Sequence, residues 1–333
     1  MRIVWLRATA SSARSCWSRN LEPIVIGGAG ALGSIYGGLL TRAGFDVVLL
    51  GRGRHADVMR SRGLELRLPD RTEIIPVRVE ERAAGRTLIL SARLHDTTAV
   101  LDQLRAAPRL AISLQNGPTK NDALAARYSD ATLVRGVSTL AAELVAPGVV
   151  RSAALGATFL DGSEPKADPL AAALVAGGLR VERPEHAASV EWSKVAQVTA
   201  IMGVQAVTRR YLHQLFLSED AAVLLKRMIE EVADLAQHEG VTLGDFPPML
   251  PVASLARGTQ EDAARMLAAN GTRLVEASAT DRRTSMLQAI KAGRRTELDD
   301  IHGELIRRAA AAGTRLPTVE SCYRLARVAG VRC

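Results

Sequence analysis

A glycine-rich stretch, set between a short apolar run and a helical pattern, narrows the folds open to this chain more than any other part of it. Pro23-Ile-Val-Ile reads as a buried strand, and Gly27-Gly28-Ala29-Gly30-Ala31-Leu32-Gly33 follows it directly. Ser34 to Gly44 then has a helical pattern, and Asp46-Val-Val-Leu-Leu50 reads as a second strand. In this register each glycine has a separate task. Gly28 allows a tight turn, Gly30 lets backbone approach a pyrophosphate, and Gly33 lets the helix pack closely on the strand. Between them Ala29, Ala31 and Leu32 carry the loop into the helix, whose first N–H groups and positive dipole end suit a phosphate. A strand, glycine loop, helix and second strand in register predict a nucleotide-binding βαβ unit that opens an α/β Rossmann-type domain.

The end of the second strand selects among dinucleotides. A carboxylate there would hold a ribose 2′-hydroxyl, but this chain has Gly51-Arg52-Gly53-Arg54. A guanidinium binds a 2′-phosphate in a fork, whereas a carboxylate repels it. NADP(H) is therefore the expected cofactor, with Arg52 as its main 2′-phosphate contact and Arg54 left as a surface arginine.

Thr87-Leu-Ile-Leu90 and Leu110-Ala-Ile-Ser-Leu114 read as two more buried strands. The second runs into Gln115-Asn116-Gly117, a turn at a strand's carboxyl end, where ligands of open α/β sheets sit; this makes Asn116 a candidate for cofactor or substrate. Val134-Arg-Gly-Val-Ser-Thr, Gly148-Val-Val-Arg and Ala157-Thr-Phe-Leu read as strands completing the sheet, with a hairpin turn in Val145-Ala-Pro-Gly-Val-Val.

From about Glu185 the periodicity becomes helical. A long helix begins around Val190-Glu-Trp-Ser-Lys194, another spans Glu219 to Glu239 and stops at Gly240, and a third spans Asp299 to Ala312 with Ile301, Leu305 and Ala309 on one stripe. The expected domains are 22–186, dinucleotide-binding, and 187–333, all-helical and carrying substrate and catalytic groups. Residues 1–21, rich in Arg and Ser and lacking Asp and Glu, are read as an extension outside the fold, disordered or from a start called too early.

Composition limits the remaining classes. Of 333 residues, 47% are apolar, enough to build two cores, and no apolar run approaches the roughly 20 residues of a membrane span. The formal charge of +8 is spread along the chain without a nucleic-acid-binding module, so no nucleic-acid partner is expected. Cys16, Cys322 and Cys333 have neither metal-ligand spacing nor an even disulfide set. The expectation is a cytoplasmic protein with no metal and no membrane contact; a homodimer is compatible with the chain.

The Gly-Arg-Gly after the glycine loop, Gln115-Asn116-Gly117, Glu143-Leu-Val-Ala-Pro-Gly-Val-Val, Glu191-Trp-Ser-Lys194 and Ser285-Met-Leu-Gln with Arg295-Thr-Glu297 occur in one order. In that order the chain resembles the ketopantoate reductase (2-dehydropantoate 2-reductase) family over nearly everything after residue 22. The resemblance implies a Rossmann domain followed by an all-helical domain like the C-terminal part of 6-phosphogluconate dehydrogenase. It also implies NADPH-dependent reduction of the small 2-oxo acid 2-dehydropantoate to (R)-pantoate, on the route to pantothenate and coenzyme A. By resemblance Lys194 and Glu297 fall on catalytic positions, Ser285 and Asn116 on substrate-binding positions, and Arg93 on a position where the family has a cofactor-side lysine. A ketone receiving hydride develops charge on oxygen, and the Lys194 ammonium would stabilise or protonate it.

The chain departs from the family pattern four and eight residues after Lys194. Asparagines common there are replaced by Val198 and Met202, with Gln197 and Gln205 on neighbouring faces. A reductase of another 2-oxo acid is therefore an alternative, and a non-catalytic dinucleotide-binding sensor is one from a different class.

Overall fold

A computed structural model describes residues 23–333, so Cys16 and the extension expected over 1–21 lie outside the described residues. These form two compact units. The first runs to Gln115 and resumes over Thr119–Ala187; the second comprises Ala188–Cys333 together with the short segment Asn116–Pro118. Asn116 groups with the helical unit rather than with the strand that precedes it.

The first unit is built on strands β1 (Ile24–Gly27), β2 (Val47–Leu50), β3 (Leu64–Arg67), β4 (Thr72–Ile75), β5 (Arg78–Glu80) and β6 (Thr87–Leu90). It continues with β7 (Leu110–Ser113), β8 (Thr132–Ser138), β9 (Ala141–Ala146), β10 (Val149–Ala154), β11 (Ala157–Leu160) and β12 (Arg180–Glu182). Eight of them form one sheet in the order β12-β11-β8-β7-β6-β1-β2-β5. All neighbours in it are parallel except β8 and β11. Helix α1 (Ala31–Arg42) crosses from β1 to β2, and α2 (Gly53–Arg62) follows β2. Along β1, Ile24 and Ile26 join the apolar cluster around α1, while Val25 joins the cluster with Leu88, Leu90 and Leu124. Alternate side chains face opposite sides of the sheet, so a strand covered on both faces has to be apolar throughout.

One strand expectation is corrected. The strand after Gly148 does not complete the main sheet. Val149–Ala154 belongs to a separate four-stranded sheet, order β4-β3-β10-β9, in which β10 pairs with β9 through the expected hairpin and runs parallel to β3. Its partners β3 and β4 alternate buried and exposed residues and carry charge, as does β5 in the main sheet, so these strands escape a reading that looks for continuous apolar runs.

Tyr36 ties α1 to the far side of the main sheet. Its buried hydroxyl donates to Ser138 Oγ at 3.0 Å and pairs with Thr158 Oγ1 at 2.6 Å, and Ser138 and Thr158 are directly opposite one another on β8 and β11. Burial pushes its pKa up to about 12, against the weaker lowering pull of the two hydroxyls. Because the folded value lies above the unfolded value of 10.0, this contribution to stability is complete below pH 10 and lost as pH rises toward 12. Tyr36→Phe removes the shared partner of Thr158 Oγ1 and Ser138 Oγ, of which Ser138 still accepts from the Leu140 N–H, and is expected to cost about 1–3 kcal/mol in denaturant unfolding. The variant should also lack this component of alkaline destabilisation; equal alkaline slopes would refute the assignment.

The second unit is helical. Its main elements are α3 (Ala187–Thr208), α4 (Glu219–His238), α5 (Gln260–Glu276), α6 (Ser285–Lys291), α7 (Glu304–Ala311) and α8 (Pro317–Val328). Ser218 caps α4 by accepting from the Ala221 N–H, and Glu219 and Asp220 complement the positive end of its dipole. The helix expected from Asp299 is present with a difference: Asp299–Gly303 is a π-helical turn that leads into α7. The stripe Ile301, Leu305 and Ala309 is buried.

Candidate active site

In the first unit the glycine loop has room for a ligand on one side and none on the other. Gly28 adopts φ +97°, a conformation that disfavours any side chain. A Cβ on Gly33 would lie 2.1 Å from the Gly28 carbonyl oxygen and 2.5 Å from Ser91 Oγ, whereas one on Gly30 would meet nothing within 4 Å. The loop is fixed from behind. Ser91 Oγ donates to the Gly28 carbonyl at 3.0 Å, and the Ala29 N–H donates to the Leu50 carbonyl at 2.8 Å. Gly30 is the N-cap of helix α1 and offers no side-chain cap, and the first turn holds no acid, so the N-terminal N–H groups are not engaged by a capping side chain. A loop closed toward the protein, open in front, and followed by an uncapped helix fits a dinucleotide pyrophosphate.

Arg52 is exposed at the carboxyl end of β2 and is the N-cap residue of α2. Arg54 is exposed beside it. Next in this helix, His55 accepts from the Gly148 N–H through Nδ1 at 2.8 Å, so its Nε2 carries the proton and donates to Ser34 Oγ at 3.2 Å. Burial pushes its pKa down. The imidazole thus joins α1, α2 and the β9–β10 turn, a task for the Pro-Gly turn that only the fold reveals.

Arg93 is half-buried at the carboxyl end of β6, two residues after Ser91. Its loop is held by Gln115, whose Nε2 donates to the Ala92 carbonyl at 3.0 Å and to Thr97 Oγ1 at 2.8 Å. Asn116 is half-buried three residues past the end of β7, and Gly117 takes φ +109° next to it.

In the second unit, α3 carries Lys194 and anchors the segments that carry Ser285 and Glu297. Lys194 is half-buried on its second turn. Eleven residues on, the buried Gln205 accepts from the Thr284 N–H at 3.2 Å and from Thr284 Oγ1 at 2.7 Å. Thr284 in turn caps α6, of which Ser285 is the first residue. Gln197 is also structural, accepting from the Leu250 N–H at 2.7 Å. The two glutamines near the departed asparagine positions therefore brace backbone. Val198 and Met202 are both buried, so the stripe that starts at Lys194 continues as apolar side chains.

Glu297 is buried just before the π turn, with Thr296 pinned to the Arg332 carbonyl through both N–H and Oγ1 at 2.8 Å. Within that turn His302 is completely buried and its Nε2 donates to the Thr199 carbonyl of α3 at 2.9 Å. This residue escapes a reading of motifs. Its signal was its place beside Ile301, four residues after Leu298 and three before Leu305, on the apolar stripe of the helix.

A Rossmann-type unit with an open glycine loop, followed by a helical unit with a lysine and a buried glutamate, has the layout of a dinucleotide-using oxidoreductase. Comparison with known proteins makes this specific. The family described as ketopantoate reductase PanE/ApbA matches residues 24–163, and its C-terminal counterpart matches residues 187–329. The 2-dehydropantoate 2-reductase of Pyrococcus abyssi is 25% identical over 307 residues, covering 88% of this chain and 93% of that protein. The 2-dehydropantoate 2-reductase of Archaeoglobus fulgidus is 27% identical over 299 residues, with 88% and 92% covered. The crystal structure of a PanE/ApbA family ketopantoate reductase from Ralstonia eutropha JMP134 superposes with a TM-score of 0.76 at 26% identity, covering 92% of this chain and 97% of that one. The chain belongs to the ketopantoate reductase family and is an oxidoreductase acting on a CH–OH group. Among the described residues, no helix is long and apolar enough to cross a membrane.

Proposed function

We propose that this protein reduces the C2 ketone of 2-dehydropantoate to the hydroxyl of (R)-pantoate with NADPH, in pantothenate synthesis. The observation that carries the reading is the anchoring of the Ser285 and Glu297 segments on α3, the helix that bears Lys194. The names of the relatives supply the substrate.

Bound dinucleotide supplies the hydride that arrives at the ketone carbon. The chain's own residues do the rest. The carbonyl oxygen gains an electron pair as the carbon–hydride bond forms, and the Lys194 ammonium stabilises it and gives up a proton to make the hydroxyl. Glu297 orients that ammonium or accepts a hydrogen bond from a substrate hydroxyl. Ser285, at the start of α6, and Asn116, past the end of β7, serve as hydrogen-bonding partners for the substrate, and Asn116 also serves on the cofactor side. Gly28, Ala29, Gly30, Ala31, Leu32 and Gly33 cradle the pyrophosphate, with Arg52 and Arg93 on its anionic groups.

The buried Val198 and Met202 favour a second reading, reduction of a 2-oxo acid with a more apolar side chain. A site built around amides rejects ligands that leave those amides unpaired, and an apolar stripe lacks that selectivity. The test follows NADPH and NADH oxidation with 2-dehydropantoate and a panel of branched 2-oxo acids, for wild type and Arg52→Ser. The expected result is fastest turnover of 2-dehydropantoate with NADPH. Losing a charge-assisted contact worth about 1.5–3 kcal/mol should raise the KM for NADPH about 10- to 100-fold in Arg52→Ser, with little change for NADH. Preference for another panel member would establish the second reading. Dinucleotide binding without turnover of any member would overturn both and leave a sensor.

A further inference from the structure

The π turn Asp299–Gly303 departs from the α-helical backbone that follows it, and both Asp299 and His302 within it are fastened. Asp299 Oδ1 accepts from the Tyr323 hydroxyl of α8 at 2.7 Å. On the other side His302, fully buried, donates to the Thr199 carbonyl at 2.9 Å. One extra residue in a helical circuit rotates everything beyond it by about 100°, so the π turn decides which side chain meets α3.

The contact with α3 is close because position 203 has no side chain. A Cβ on Gly203 would lie 2.9 Å from His302 Nε2 and 2.7 Å from Met228 Cε. The acceptor at Thr199 is a carbonyl, so Nε2 carries the proton in this bond. Burial pushes the imidazole's pKa down to about 4, against the weaker raising pull of the Thr199 and Leu298 carbonyls, so the ring is neutral near pH 7. A buried, neutral donor is an expensive way to fill a core, where leucine would pack without a polar atom to satisfy.

The two partners of this bond have matching positions. Thr199 follows Lys194 by five residues on α3, and His302 follows Glu297 by five residues through the π turn. We infer that His302 is a positioning residue, which through its bond to Thr199 fixes the segment carrying Glu297 against the helix carrying Lys194. The inference rests on the functional reading above for the roles of Lys194 and Glu297. The bond itself can be tested without that reading.

The experiment compares wild type with His302→Leu, His302→Asn and Gly203→Ala. Leucine removes the donor, asparagine keeps a shorter one, and the alanine methyl wedges the imidazole away while deleting no polar group. Hydrogen–deuterium exchange of the 296–303 segment should rise at least about tenfold in His302→Leu and Gly203→Ala, and less in His302→Asn, since losing one buried hydrogen bond is worth about 1–3 kcal/mol. Alongside, kcat for 2-dehydropantoate should fall at least about tenfold in His302→Leu and recover in His302→Asn, with NADPH affinity unchanged. A role confined to packing would instead lower thermal stability in both His302 variants and leave kcat of the folded protein unaltered, which would overturn the proposal. Unchanged exchange in His302→Leu or Gly203→Ala would overturn it as well. If wild type ignores 2-dehydropantoate, the functional reading fails, and exchange still decides whether His302 pins this segment.

Discussion

Lys194→Ala is expected to lower kcat for 2-dehydropantoate reduction by about 10²–10⁴-fold while leaving NADPH affinity within about threefold. The size follows from charge. Reduction of a ketone passes through an oxygen that carries negative charge before its proton arrives, and an alanine methyl offers neither a cation nor a proton. Lys194 is half-buried on α3, a position at which an ammonium is partly removed from water and acts more strongly than at the surface. The dinucleotide loop belongs to the other unit, so its affinity is a separate quantity and serves as the control. Lys194→Arg should recover only part of the activity, because the planar guanidinium keeps the charge but does not give up a proton. Stopped-flow traces with saturating NADPH would separate the chemical step from binding. A folded Lys194→Ala protein with kcat within threefold of wild type would remove the lysine from the mechanism.

The second large effect separates two glycines of one loop. Gly33→Ala places a methyl 2.1 Å from a backbone carbonyl, and backbone cannot swing aside as a side-chain tip can. The α1–β1 contact must open, so stability should fall by about 1–3 kcal/mol and dinucleotide affinity by at least about tenfold. Gly30→Ala places its methyl in open space. Unfolding should then be unchanged to within about 0.5 kcal/mol, while affinity falls by a similar factor, because the methyl occupies the approach of the pyrophosphate. Urea unfolding and fluorescence titration with NADPH read the two quantities independently. If Gly30→Ala binds the dinucleotide as tightly as wild type, the phosphates lie elsewhere and the loop assignment fails.

Much of the first unit is legible along the chain because its signals are local. A strand buried on both faces must be apolar throughout, so β1, β2, β6 and β7 stand out as short runs. The glycine loop is visible because two adjacent tasks, a positive φ at Gly28 and a missing Cβ at Gly33, demand the same residue at fixed offsets. The small second sheet is less visible. Its strands are half-exposed and charged, and whether Val149–Ala154 pairs with β3 or extends the main sheet depends on hydrogen bonds to residues far away in sequence.

The candidate site divides in the same way. Lys194, Ser285 and Glu297 can be named from motif order, whereas the parts that hold their segments cannot. Gln205, on a face next to the Lys194 stripe, is occupied with the Thr284 cap, a partner 79 positions away. Gln115 looks like part of a turn and fixes the loop that carries Arg93. His302 looks like a helix residue of no distinction, and its bond to Thr199 spans 103 positions.

Short-range chemistry along the chain is enough to specify the βαβ unit, the change from mixed to helical periodicity, and the residue types available for hydride chemistry. Periodicity, turn chemistry and charge act over a few residues and can be read from them. Tertiary structure alone decided which strands share a sheet, which amides brace backbone, and where a π turn rotates His302 into α3. Those outcomes depend on which groups meet across long separations once burial leaves every polar atom in need of a partner.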